Sequence, residues 1–351
     1  MAEKKLKAVD FFCGAGGMSF GLKKAGIDVI AGIDFNKDCR ETYELNTKAK
    51  FIEEDVELLK PSSLSSLINI KQNDDSLIFA GCSPCQYWTL IATNKSKASK
   101  SKNLLMKFQD FVEYFRPGYV VIENVPGLLN NPESPLHKFL DFLSENDYSY
   151  SYKILNLSLF GVPQNRKRFF LIASRLHKSI ELPDPGNIRI KTIKDVIGAV
   201  NGFPKIKHGH RDESSFMHTC ASLESINLKR LRRTPKDGGN RLSWSRDPEL
   251  QLKAYINKDN CFKDVYGRAF WNKPSPTITT KFYSISNGRF AHPDENRAFS
   301  LREGATLQTF PKNYKFCTKN IIKAATLIGN AVPPLFAKHV GKHIISLQIA
   351  K

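Results

Sequence analysis

Cys82-Ser83-Pro84-Cys85 is the first stretch of this chain whose residue types could carry chemistry. Three readings compete for it. A structural zinc site takes about four ligands, and no second Cys-x-x-Cys occurs in the chain. A thioredoxin-like redox pair is a rival, because proline often precedes the second cysteine there. In the third reading Cys85 is a lone nucleophile at a strand end, since a thiolate attacks well even at a few per cent ionisation. Farther on, Glu123 follows an apolar run, and a carboxyl in a dry cleft can stay protonated and act as an acid. Arg166 and Arg168 stand two apart at a strand start. That spacing puts both on one side of the strand, where they could hold a carbonyl oxygen or a phosphate.

A second group of residues suits a nucleoside. Asp10-Phe11-Phe12-Cys13-Gly14-Ala15-Gly16-Gly17 ends a strand and opens a helix. Glycines there let backbone approach a ligand closely. The turn lacks the G-x-G-x-x-G spacing of a dinucleotide site and the Gly-Lys-Ser/Thr of a phosphate loop. Asp34, at the end of the second strand, can accept hydrogen bonds from two ribose hydroxyls. Asp55, after the third strand, could meet an adenine amino group. A nucleoside without a pyrophosphate fits this set, and S-adenosylmethionine is such a molecule.

The elements that must position these side chains alternate. Apolar runs at Ala8–Phe12, Val29–Ile33, Leu77–Gly81, Tyr119–Ile122, Tyr150–Leu157 and Arg168–Ser174 read as strands. Helical spacing at Ser19–Ala25, Lys37–Leu45, Leu104–Phe115 and Leu136–Leu143 separates them. Strands alternating with helices predict an α/β fold, a mostly parallel sheet with helices on both faces and ligands beyond the carboxyl strand ends. Beyond residue 175 the periodicity fades into Pro, Gly and basic residues, which predicts a smaller irregular domain. Ile321–Leu347 turns helical again, interrupted at Asn330-Ala331-Val332-Pro333-Pro334.

Charge limits the partners. The 351 residues carry 53 Lys+Arg against 34 Asp+Glu, a formal +19, with a pI near 9.5. That balance points to a polyanion, most often nucleic acid. Basic residues cluster in three places: Lys95, Lys97, Lys100 and Lys102; Lys205 to Arg211; and Lys229, Arg230, Arg232 and Arg233. No apolar run has the length of a signal peptide or a membrane span, so a cytoplasmic, nucleoid-associated protein is expected. Seven scattered cysteines do not form a disulfide framework, and no metal is expected.

Six motifs, in order, resemble the DNA (cytosine-5)-methyltransferases of bacterial, restriction–modification type. They are Asp10–Gly17, Pro84-Cys85-Gln86, Glu123-Asn124-Val125, Gln164-x-Arg166-x-Arg168, Arg302-Glu303 through Leu307-Gln308-Thr309-Phe310-Pro311, and Gly329-Asn330-Ala331-Val332-Pro333-Pro334. The two-cysteine redox reading explains none of the other five. Two departures stand out: Tyr87-Trp88-Thr89 replaces the usual x-Phe-Ser, and Asp34 stands where the family often has Glu.

The resemblance implies a Rossmann-like S-adenosylmethionine-dependent methyltransferase fold with a mixed target-recognition domain. The catalytic domain would join residues 1–175 and 320–351, and 176–319 would read the target. Cys85 would attack cytosine C6 and Glu123 would protonate N3. Arg168, with Arg166, would hold the O2 side of a base flipped out of duplex DNA. S-adenosylmethionine would rest on Phe12, Gly14, Gly17, Asp34, Asp55, Pro84, Leu104, Asn330 and Val332. DNA contacts are expected from Gln86, Lys95, Lys97, Lys100, Lys102, Arg230, Arg232, Arg233 and Arg241, with Trp244 and Arg246 as further candidates for reading bases. The partner is double-stranded DNA bound by a monomer, with a possible cognate restriction endonuclease encoded nearby. Rival functions are an RNA (cytosine-5)-methyltransferase, a catalytically dead nucleic-acid binder, and a thiol oxidoreductase using Cys82 and Cys85.

Overall fold

Short apolar runs closed by Asp, Gly or Asn form the strands of the first unit. The computed structural model describes residues 5–83, 103–256 and 258–349. Among them, strands β1 (Lys7–Phe11), β2 (Asp28–Asp34), β3 (Lys50–Glu53), β4 (Leu77–Gly81), β5 (Tyr119–Asn124), β6 (Ser149–Asn156) and β8 (Lys167–Ser174) make one sheet in the order β3-β2-β1-β4-β5-β8-β6. The pairings from β3 to β5 are parallel. β8 enters antiparallel between β5 and β6. The mostly parallel α/β sheet expected from the alternation is present. Its antiparallel strand arises because β6 and β8 are joined without a crossover helix.

Alternation along the strands sorts side chains onto two faces. Val9, Phe11, Phe79, Val120 and Ile122 face a core that includes Phe108, Phe111 and Phe115 of the Leu104–Phe115 helix. Phe11 meets Phe79, Phe108 and Phe111 edge-on at 5.0–5.1 Å between centroids. Asp10, Ala80, Val121 and Glu123 face the other way, as the register requires. On that face the Gly17–Ala25 helix packs against the Pro334–Ile349 helix along small residues. A Cβ on Gly21 would lie 2.4 Å from Ala337 Cβ and from Pro334 O, and one on Gly341 would lie 2.6 Å from Ala25 Cβ.

Two units emerge. The first comprises Met1–Leu157, Lys167–Asn187 and Val332–Lys351, and the second Ser158–Arg166 and Ile188–Ala331. The seam therefore lies at 331/332 rather than at the expected 319/320. The Ile321–Asn330 helix stays with the second unit because Gln308 Nε2 donates to Ile328 O (2.8 Å) and Gly329 admits the Thr279–Thr280 backbone. Regular structure is sparse there. The second unit holds the Ser225–Arg233, Leu301–Leu307 and Ile321–Asn330 helices and a two-stranded pairing of β7 (Gln164–Asn165) with β9 (Ser275–Pro276). The described residues hold no helix long and apolar enough to cross a membrane.

Candidate active site

The glycine turn is tied to the neighbouring strand through Asp34. β1 stops at Phe11, one residue earlier than its apolar run suggests, because Phe12 takes a left-handed φ of 60°. Gly14 and Gly16 are left-handed as well. A bulky residue at positive φ is strained, and such strain concentrates at functional sites. Gly14 N donates to Asp34 Oδ2 and Asn36 N to Asp34 Oδ1, both at 2.9 Å. Each oxygen keeps a second lone pair. Burial pushes the Asp34 carboxyl up, against those two hydrogen bonds. A Cβ on Gly14 would meet nothing within 4 Å, so the turn faces open space. Beside it Phe35 is 65% exposed. In the sequence the ring is marked only by following the strand-end acid directly, with no periodicity to set it apart. Asp55 is half-buried, and its Oδ1 accepts from Glu57 N (3.0 Å). Leu104 is buried at its helix start.

The ends of β4, β5 and β8 bring the other candidates together. Asn124 Nδ2 donates to Ser83 O (3.2 Å) and Ser83 Oγ (3.1 Å). That contact fixes the chain just before Pro84 and Cys85 against the end of β5. Glu123 sits opposite Phe170, so Arg168 is its diagonal neighbour on the same face. Arg168 Nε lies 3.0 Å from Glu123 Oε1, with both side chains largely buried. The contact is an ion pair without hydrogen-bond alignment, so buried Oε1 has no hydrogen-bond donor among the described residues. Burial, with the Glu123 and Asp10 charges, pushes the Cys82 thiol well above its usual range. A thiol held neutral is a poor redox partner.

Arg166 and Arg168 do not share a role. Arg166 is fully buried and belongs to the second unit. It donates from Nη1 to Ile278 O (3.1 Å) and from Nη2 to Gly329 O and Ala331 O (3.3 Å each). The expected side-by-side pair fails because Arg166 falls between β7 and β8 rather than within one strand. Asn330 is exposed at the end of the second unit, and Val332, which opens the last segment of the first, is buried.

The family model for C-5 cytosine-specific DNA methylases matches residues 6–346. The chain belongs to that family. The match bears out the resemblance drawn from the six motifs and makes the protein a DNA (cytosine-5)-methyltransferase. It is 34% identical over 345 residues to the type II methylase M.HgiDII of Herpetosiphon aurantiacus, covering 96% of this chain and 94% of that one. Against the type II methyltransferase M.MthTI of Methanothermobacter thermautotrophicus the identity is 29%, with 95% of each covered. A prophage-encoded E. coli chain described as a DNA modification methyltransferase shares the fold, with a TM-score of 0.76 at 22% identity, covering 99% of this chain and 100% of that one. The family acts on DNA with a methyl donor of the S-adenosylmethionine type.

The methyltransferase uses several of its nominated DNA-binding arginines internally. Arg230 is buried, donates to Leu250 O (2.7 Å) and Asn227 Oδ1 (2.8 Å), and lies over the Trp244 and Tyr266 rings. Arg241 is buried and donates to the carbonyls of Lys258, Cys261 and Phe262. Trp244 is core, with Nε1 donating to Thr234 Oγ1 (3.0 Å). These three are corrections: charge and aromaticity suggested DNA, but an irregular domain with few ladder hydrogen bonds turns such residues inward. Arg232, Arg233 and Arg246 are exposed. Pro84, Cys85, Gln86, Lys95, Lys97, Lys100 and Lys102 lie outside the described residues. Among the described residues no group of three or more His, Cys, Asp or Glu could hold a metal ion.

Proposed function

We propose that the methyltransferase flips a cytosine out of duplex DNA and activates it covalently through Cys85. The observation that carries this reading is the buried Glu123 oxygen, which has no hydrogen-bond donor among the described residues and is braced by Arg168; Glu123 is next in sequence to Asn124, which holds Ser83. A buried acceptor left open costs about 1–3 kcal/mol. The exocyclic amine of cytosine would satisfy it. Cys85, as thiolate, adds to C6 and forms the S–C6 bond. The ring electrons move toward N3, where Glu123 delivers its proton. Arg168 holds the O2 side, leaving C5 nucleophilic. C5 takes the methyl group that S-adenosylmethionine supplies, leaving S-adenosylhomocysteine. Loss of the C5 proton to a base then re-forms the C5–C6 double bond, expels Cys85 as thiolate and returns the N3 proton to Glu123. Arg166 is assigned the part of a positioning residue.

For the methyl donor, Phe12, Gly14, Gly17, Asp34, Asp55, Pro84, Leu104, Asn330 and Val332 are the residues assigned. The open side of Gly14 and the unused lone pairs of Asp34 support a ribose and adenine there. Phe35, exposed beside Asp34, adds an apolar wall. The second unit is proposed as the target-recognition domain and the first as the catalytic domain. The type II names of the relatives favour a role in restriction–modification; action as a monomer on DNA and a cognate endonuclease encoded nearby are further parts of this proposal. The test is expression in a host without cytosine methylation, followed by mapping of 5-methylcytosine. The parent should return one short modified site, and Cys85→Ala none. Methylation by Cys85→Ala at the parental level would refute the nucleophile.

A further inference from the structure

In the second unit, buried Arg241 organises a protruding loop. The carbonyls of Lys258, Cys261 (2.8 Å) and Phe262 (3.3 Å) all accept from its guanidinium. Asp259 pairs with it at 3.6 Å, and the Tyr255 ring lies 4.9 Å from it. Tyr255 and Val265 anchor the loop on a small core with Trp244, Leu250 and Tyr266. What this frame presents is unusual for a loop surface. Phe262 is 57% exposed at a left-handed φ of 54°, and Ile256 is 47% exposed. The Phe262 carbonyl is held twice, by Arg241 and by Val265 N (3.3 Å), which fixes the backbone, while the ring leans on Tyr255 (5.7 Å between centroids) and keeps its other side in solvent. A bulky residue held in this region of backbone space is strained.

The loop's charge is one-sided once its pairs are removed. Asp259 is matched by Arg241, and Asp264 by Arg289, whose Nε donates at 2.7 Å. Lys253, Lys258 and Lys263 remain exposed, with no carboxylate partner among the described residues. An exposed aromatic framed by lysines on an enzyme that acts on DNA matches how proteins hold nucleic acid, with cations on phosphates and an apolar side chain against bases.

We propose that residues 258–264, with Lys253, form a DNA-contacting element in which Phe262 packs against bases of the duplex while Lys253, Lys258 and Lys263 meet its phosphates. This rests on the second unit being the part that engages DNA. The substrate for the test is unmethylated plasmid DNA, and the readouts are KM for DNA, KM for S-adenosylmethionine, melting temperature and the 5-methylcytosine map. Phe262→Ala removes the ring. Phe262→Gly removes it and also relieves the left-handed strain, which offsets the lost packing on Tyr255, and the melting temperature separates a lost DNA contact from a disturbed loop. Both should raise KM for DNA about tenfold, the scale of one base stacked on an aromatic ring. KM for S-adenosylmethionine should not move, and the glycine variant should melt no lower than the parent. Lys253→Ala/Lys258→Ala/Lys263→Ala should flatten the log–log salt dependence by about two to three. Parental KM for DNA and a parental map in both Phe262 variants would overturn the proposal. Arg232→Ala/Arg233→Ala separates the two levels. If it raises KM for DNA while the Phe262 variants do not, the loop assignment alone fails. If none of these variants changes it, the reading of the second unit fails as well.

Discussion

Asp10 should make the stability of the first unit fall as pH rises, and Asp10→Asn should abolish that slope. The carboxyl is fully buried at the end of β1. Its Oδ2 accepts from Ser19 N (3.1 Å) and Ser19 Oγ (2.6 Å), while Oδ1 has no partner among the described residues. Burial pushes its pKa from 3.8 to about 7; the Ser19 hydrogen bonds pull down and the Asp34 charge pushes up. The folded state therefore keeps a proton that the unfolded chain releases above pH 4. Stability is fully present below pH 3.8, declines through the window up to about pH 7, and is level beyond it. At 1.36 kcal/mol per pKa unit the whole loss is about 4 kcal/mol, with more than half of it between pH 5 and 7.5. Asparagine keeps the acceptor facing Ser19 and carries no charge. Urea unfolding of parent and variant at pH 5 and 7.5 gives the difference between them, in which titrating groups remote from Asp10 cancel. That difference should move in favour of Asp10→Asn by about 2–3 kcal/mol over this interval. A difference that stays flat would mean that Asp10 is ionised in the fold, and the buried-neutral account would be wrong.

Gly21→Ala should lower the melting temperature by several degrees, because its Cβ would overlap Ala337 and the Pro334 carbonyl, and overpacking costs about 1–3 kcal/mol. Arg168→Lys should keep the melting temperature and lower kcat at least tenfold. Arg166→Lys should instead lower the melting temperature, since lysine cannot serve three carbonyls in a fork; circular dichroism melts beside methyl-transfer assays separate the two. Replacing Lys95, Lys97, Lys100 and Lys102 with Ala should reduce the slope of log affinity against log salt by about 0.9 for each phosphate no longer neutralised. An unchanged slope in filter-binding titrations would remove this loop from the DNA interface.

The strand-end placement of the candidate residues was legible because its signals are local. A strand followed by Glu-Asn, or by a glycine turn, places a polar side chain at a sheet end whatever the rest of the chain does. Glu123 and Asp34 therefore stand where their strands end. The Glu123–Arg168 pair was not legible. It depends on β8 entering antiparallel beside β5, a long-range pairing to which no local pattern points. The Pro61–Ile68 helix was missed as well, although Pro61 at its start and Leu64, Leu67 and Ile68 on one side were there to be read. Phe35 escaped because a single exposed aromatic carries no periodicity.

The positive charge of the second unit has two separate uses, and composition cannot divide them. Arg268, fully buried, donates to the carbonyls of Leu231, Thr234, His292 and Glu295 and to Asn296 Oδ1. Arg302 donates to the carbonyls of Ser215, Phe216, Pro311 and Tyr314 and lies between the Phe216 and Phe316 rings. Arg297 grips Glu303 with both terminal nitrogens, at 2.7 and 2.8 Å. Burial would raise the Glu303 pKa, yet Arg297 holds it down at about 2. Buried carbonyls need donors, and a unit with few ladders leaves many of them without a backbone partner. A planar guanidinium with five donors can satisfy several at once. These arginines therefore do the work that strands do in the first unit, which leaves the exposed lysines with Arg232, Arg233 and Arg246 as the candidates for phosphate contact. A basic cluster in an irregular domain is thus a weak pointer to DNA until the burial of each arginine is known.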